Sequence, residues 1–212
     1  MNILGSVWLH PKKTVRFMIE NHMLRLAIVL VLVSGFFGTY IPAADPTMYG
    51  DFAGEDMLGE EAFVAEPLSF VGLLVSGVFS SVFTLLIMFI VVGFIFLFGK
   101  LFKGKGTFWE VFQATAIATI PMIVTGIVGF VWAALNIQSF NAPDVSSPLF
   151  IMYGLLSGVL GIWSFIISIG ALAEANRYSN VRAFFTLILP TILFVIVVIS
   201  LLAFVVALFF AV

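Results

Sequence analysis

From Leu68 to Gly99 the chain runs for 32 residues without a lysine, arginine, aspartate or glutamate. A stretch that long has nowhere to go in water, and a membrane-spanning helix needs only about 20 apolar residues. The rest of the chain agrees with it. Of 212 residues, 62% are hydrophobic and 9% charged, where a soluble domain carries about 25% charged residues; the mean hydropathy is +1.23. This excludes a soluble globular enzyme, a disordered chain and a disulfide scaffold. Cysteine is absent, which removes disulfides, zinc knuckles and thiolate nucleophiles. The two histidines, His10 and His22, precede the first apolar run and speak against a buried histidine metal centre. A net charge of −2 offers no basic excess for nucleic acid.

The expected fold is all-α: a polytopic membrane protein built as a five-helix transmembrane bundle with a short N-terminal interfacial helix. Residues 1–25 form a cytoplasmic N-terminal segment, and 26–212 form the membrane domain, with spans at about 26–41, 70–99, 109–135, 148–173 and 183–211. As one helix the second apolar stretch measures about 48 Å, against about 30 Å of hydrocarbon. It must tilt, or leave its first turns after Pro67 at the interface. Ala43 and Ala44, after Pro42, make a poor cleavage site, so the first span is read as an anchor rather than a signal peptide.

Charge orients the bundle. With five spans all nine basic residues fall on one side: Lys12, Lys13, Arg16 and Arg25 before the first span, Lys100, Lys103 and Lys105 between the second and third, Arg177 and Arg182 between the fourth and fifth. The opposite side holds acids alone, from Asp45 to Glu66 and at Asp144. The positive-inside rule puts the N-terminus in the cytoplasm and the C-terminus outside. Four or six spans would put basic loops on both sides.

The segments between spans carry the candidate contacts. Pro11 suits the first turn of a helix over 11–22, with Lys12, Lys13, Arg16 and Glu20 on one side and Val15, Met18 and Ile19 on the other. That pattern suits an anionic inner leaflet, an ordinary juxtamembrane segment or a docking element. In the acidic loop 42–67, Asp51, Glu55, Asp56, Glu60 and Glu61 could gather a cation but lack the spacing of a Ca²⁺ loop; a solvated outer loop is the plainer reading. The basic loop matches G-x-x-x-x-G-K at Gly99, Gly104 and Lys105, but Gly106 stands where a nucleotide-binding loop needs Ser or Thr, and no strand precedes it. Thr107 and Glu110 instead have the spacing of a capping box that opens the third span.

No Lys, Arg, Asp or Glu lies deep in a span, where pumps and coupled carriers place them. Glu174 and Arg177 are spaced to pair on a continued helix. Gln113, Thr115, Thr119 and Thr125 either line a polar seam or bond backbone carbonyls. Small residues recur at four-residue spacing at Gly72, Ser76, Ser80 and Thr84, and again at Gly154 and Gly158, which implies close helix packing within one chain or between copies. Pro121 and Pro190 should bend their helices.

The segments Trp8-Leu-His-Pro11-Lys-Lys-Thr14-Val-Arg16 and Gly99-Lys100-Leu-Phe-Lys103-Gly104-Lys105-Gly106-Thr107-Phe-Trp-Glu110-Val, continuing to Pro121, Trp163, Ala171, Ala183 and Pro190, resemble bacterial members of the Yip1 domain family. The resemblance implies a five-span bundle with a cytoplasmic N-terminus in a bacterial plasma membrane. In eukaryotes such proteins act in membrane traffic and contact Rab GTPases; this chain lacks their Asp-Leu-Tyr-Gly-Pro segment. Some bacterial relatives look like accessory subunits of other membrane machines, ABC-type exporters among them. The expected role is therefore a non-enzymatic membrane adaptor or assembly factor, without cofactor or metal. Its expected partners are the bilayer, another integral membrane complex and, as a further option, a second copy. Trp8, Pro11, Thr14, Arg16, Gly99, Lys100, Lys103, Gly104, Lys105, Gly106, Thr107, Glu110, Pro121, Glu174 and Arg177 are the partner-contact candidates. A small transporter or channel, or a membrane-organising protein, is the alternative.

Overall fold

From Phe70 onward the uncharged run folds as a single helix, which continues through Lys100 to Leu101 and ends ahead of the glycines at 104 and 106. The computed structural model describes residues 3–42, 69–141 and 143–210. These residues are all-helical: α1 (Ile3–Ser6), α2 (Pro11–Glu20), α3 (Leu24–Phe37), α4 (Phe70–Leu101), α5 (Phe108–Ala118), α6 (Ile120–Leu135), α7 (Ile137–Asn141), α8 (Pro148–Asn176) and α9 (Asn180–Phe210). The acidic residues 43–68, with the cation reading attached to them, lie outside the described residues.

By length and apolarity, α4 and α8 can cross a membrane, and α5 with α6 makes a third crossing if that pair, bent by 41°, is one span. The bend falls where Pro121 was expected to make it. A proline ring excludes the carbonyl four residues back and donates no hydrogen bond, so α6 restarts at Ile120 with the proline in its first turn. Pro190, by contrast, lies inside the unbroken helix α9. At 14 residues α3 is about 21 Å long, shorter than the hydrocarbon core.

The chain divides into two compact units, one drawn from Met1–Ala27, Met88–Ala118 and Ile166–Val212, the other from Ile28–Ile87 and Thr119–Phe165. In the second unit, aromatic residues dominate: Tyr40, Trp132, Phe140 and Tyr153 form a buried cluster with Phe36, Phe37, Phe70 and Phe130 against it. The Tyr153 hydroxyl donates to the Tyr40 carbonyl at 3.1 Å. Gly126 and Gly129 admit the main chain of Phe37 and Tyr40 so closely that a Cβ at either would overlap a carbonyl oxygen.

The small-residue ridges are only partly as expected. On α4 the close approach centres on Gly77 against Phe36, and on Ser81 and Thr84 against Gly35. On α8, a Cβ at Gly154, Gly158 or Gly161 would meet nothing within 4 Å. Spacing along a helix sets which residues share a stripe; the rotation of the helix decides which stripe is covered.

In the first unit, α2 packs against α5. Val15 and Met18 are fully buried together with Val7, Val111 and Phe112, so the apolar face of α2 is covered by protein. Lys12, Lys13 and Arg16 face outward.

Candidate interaction site

Three helices of the first unit end in the same way. Among the described residues, His22, Lys103 and Arg177 are the non-glycine residues with positive φ, at 50°, 62° and 56°. Each follows the end of its helix, and the flanking amides close a Schellman cap. Beyond α4, Lys103 N–H donates to Lys100 and Gly104 N–H to Gly99; beyond α8, Arg177 N–H donates to Glu174 and Tyr178 N–H to Ala173. Beyond α2, His22 N–H donates to Ile19 and Met23 N–H to Met18. Glycine is the usual occupant of such a position. A basic residue there costs about 1 kcal/mol in backbone strain, partly offset by its charge at the negative end of a helix.

The loop after α4 then wraps around the end of α8. Lys105 N–H donates to the Asn176 carbonyl at 2.9 Å. The Asn176 side chain is fully buried; its Nδ2 donates to Leu172 at 3.3 Å, and its Oδ1 accepts no hydrogen bond. Gly99, Gly104 and Gly106 surround that oxygen: a Cβ at each would lie 3.1, 2.6 and 3.1 Å from it. Lys100 folds back over the loop, donating to the carbonyls of Gly106 at 2.8 Å and Gly104 at 3.3 Å, its ammonium 5.1 Å from the centre of the Phe96 ring.

The capping box forms as its spacing predicts. Thr107 N–H donates to Glu110 Oε2 at 2.6 Å, and Glu110 N–H donates to Thr107 Oγ1 at 3.3 Å. The same carboxylate also receives Arg177 Nη2 at 2.8 Å, and Arg177 Nη1 donates to the Lys105 carbonyl at 3.3 Å. The expected Glu174–Arg177 side-chain pair is replaced. α8 stops at Asn176, and the left-handed turn at Arg177 carries its guanidinium to α5. Glu174 is taken instead by Arg16 of α2, Nε to Oε1 at 2.7 Å. That hydrogen bond, then the carboxylate's charge, raises the pKa of Arg16.

Of the candidate residues, Thr14, Arg16, Gly99, Lys100, Lys103, Gly104, Lys105, Gly106, Thr107, Glu110, Glu174 and Arg177 belong to the first unit, as do Trp8 and Pro11. Thr14 is buried and shares a 2.9 Å hydrogen bond with Ser6. Pro121 belongs to the other unit. Asn176 escaped the sequence reading; the available signal was a carboxamide in the last turn of a long apolar helix. Outward from the loop stand Leu101, Lys103, Lys105 and Trp109.

The Yip1 domain family model matches residues 5–210. The chain belongs to the Yip1 domain family. The match takes in α2, the glycine loop and the end of α8, so the whole interlocked cluster lies inside the Yip1 domain. No curated protein and no solved structure matches the chain.

Proposed function

We propose that this Yip1-domain protein is a non-enzymatic integral membrane adaptor or assembly factor. It works through the side of the bilayer that carries its basic residues. Five spans, a cytoplasmic N-terminus, an outer C-terminus and residence in a bacterial plasma membrane complete the reading, and an ABC-type exporter is the kind of complex it would serve. One observation carries it: the charged side chains Glu110, Arg177, Glu174, Arg16 and Lys100 are spent on holding the cluster together. Glu110 is bonded to a cap and to Arg177, Glu174 to Arg16, and Lys100 to two carbonyls. Such an arrangement fixes a shape, and it presents Lys103, Lys105 and Trp109 outward as contacts for a second protein.

The test is in-cell cross-linking followed by affinity capture in mild detergent and mass spectrometry. Recovery of a stoichiometric membrane complex, cross-linked within 99–110 and lost in Lys103→Glu/Trp109→Ala, supports the adaptor. An intact partner complex in cells deleted for this protein rejects the assembly role. A small transporter or channel is favoured by one feature, the Gln113 carboxamide, whose Oε1 is buried in α5 without a donor. Solute flux in vesicles that Gln113→Leu abolishes would decide for it.

A further inference from the structure

Away from the glycine loop, the first unit holds a cavity of about 540 Å³ where the start of α2 meets α8. Gly170 makes the meeting close: a Cβ there would lie 3.1 Å from Pro11 Cγ. His10, Lys12, Lys13 and Asn180 give the cavity its polar lining and Ile166 and Ile169 apolar lining, and among the described residues no carboxylate lines it. The polar lining is built for negative charge. Two lysines, Lys12 and Lys13, belong to it, and α2 opens there with a proline at its first position and an N-cap histidine whose side chain makes no capping bond. The N–H groups of that first turn therefore keep their partial positive charge. The apolar lining continues along α8, where Ile166 is 48% exposed.

Depth selects the kind of anion. α8 has 29 residues and is about 43 Å long, so a centred hydrocarbon core of about 30 Å leaves about 7 Å beyond each face. Gly170 precedes the end of α8 by six residues, about 9 Å. The cavity thus sits at the boundary between headgroups and acyl chains.

We infer that this cavity is a binding site for one anionic phospholipid. Its phosphate is held by Lys12, Lys13 and the first turn of α2, and one acyl chain lies along Ile166 and Ile169. The inference rests on membrane insertion and not on the adaptor role. Because the apolar face of α2 is buried in protein, α2 offers this headgroup site in place of an apolar surface laid on the leaflet.

Native mass spectrometry of the purified protein in detergent tests it, with phosphatidylglycerol and phosphatidylcholine titrated in parallel. The expected result is one phosphatidylglycerol per chain, preferred by about tenfold. Lys12→Gln/Lys13→Gln should lose that preference, while Lys103→Gln/Lys105→Gln, with the same change in charge, should keep it. Ile166→Ser should weaken the lipid and leave the elution volume of the protein unchanged. Equal losses in both lysine pairs would overturn the site as unspecific charge. Displacement of the lipid by millimolar inorganic phosphate, or an Ile166→Ser variant that binds as the parent does, would overturn the lipid as its occupant.

Discussion

Gly104 lies against the carboxamide of Asn176 so tightly that a Cβ would come within 2.6 Å of Oδ1 and 2.8 Å of the Gly99 carbonyl oxygen. Gly104 is also the residue whose amide closes the cap of α4. Gly104→Ala should therefore push the carboxamide out of its seat and lower stability by about 2 kcal/mol, as overpacking does. Gly158→Ala, on an open face, should be neutral or stabilise by up to about 1 kcal/mol through helix propensity. Thermal unfolding of both variants in one detergent checks the pair, and an equal loss would contradict the loop packing.

The positive-φ caps allow a second contrast. Lys103→Gly removes strain and no hydrogen bond or ion pair of the cluster, and should raise stability by about 0.5–1 kcal/mol. Arg177→Gly relieves the same strain but loses the Glu110 pair and the bond to the Lys105 carbonyl, so the net effect should be a loss. A shift of the midpoint in the same direction for both would show that the caps, not the contacts, dominate.

Two ion pairs of similar length should differ in strength. The two pairs are similarly exposed, Glu110 at 13% and Arg177 at 53% against Glu174 at 19% and Arg16 at 61%, but Arg177 reaches both carboxylate oxygens of Glu110, Nη2 to Oε1 at 2.8 Å and Nη1 to Oε2 at 3.5 Å, while Arg16 donates to Glu174 through Nε. A singly bonded exposed pair contributes little, because water and side-chain entropy compete with it. A double-mutant cycle through Glu110→Gln and Arg177→Met should give a coupling of about 1 kcal/mol. The cycle through Arg16→Met and Glu174→Gln should be within error of zero.

Asp144 offers a pH readout outside the spans. Its carboxylate accepts the Ser146 hydroxyl at 2.6 Å and the Ser146 amide at 2.9 Å, and these bonds hold its pKa below the usual carboxylate range. The folded value is the lower one, so the turn before α8 is fully supported above the ordinary carboxyl value. That support is lost as pH falls through the depressed one. The Ser146 amide resonance should move with that lowered midpoint, and Asp144→Asn should abolish the titration.

What could be read from the sequence was local. The uncharged run became α4, Pro11 opened α2, Pro121 marked the bend, and the Thr107–Glu110 spacing gave a capping box, because each of these depends on bonds within a few residues. What could not be read depends on contacts far along the chain. Glu174 and Arg177 are spaced as partners, yet each finds its partner on another helix once the backbone turns over at Arg177. The helical ridges have the expected period, but their rotation answers to neighbours that no spacing reveals. Asn176 draws no notice beside Glu174 and Arg177 in the sequence, and only the three glycines around it give it a role.

Those four positions also bear on how the protein can change over generations. Residue 176 and the glycines at 99, 104 and 106 fill one another's space, so most substitutions at any one of them are harmful while the other three stay as they are. A smaller residue at 176 would relax the demand for glycine opposite it, and a side chain at 104 becomes tolerable only after that. Drift should therefore move this group in a fixed order or not at all, while nearby Lys103 and Lys105 vary freely except where a partner holds them.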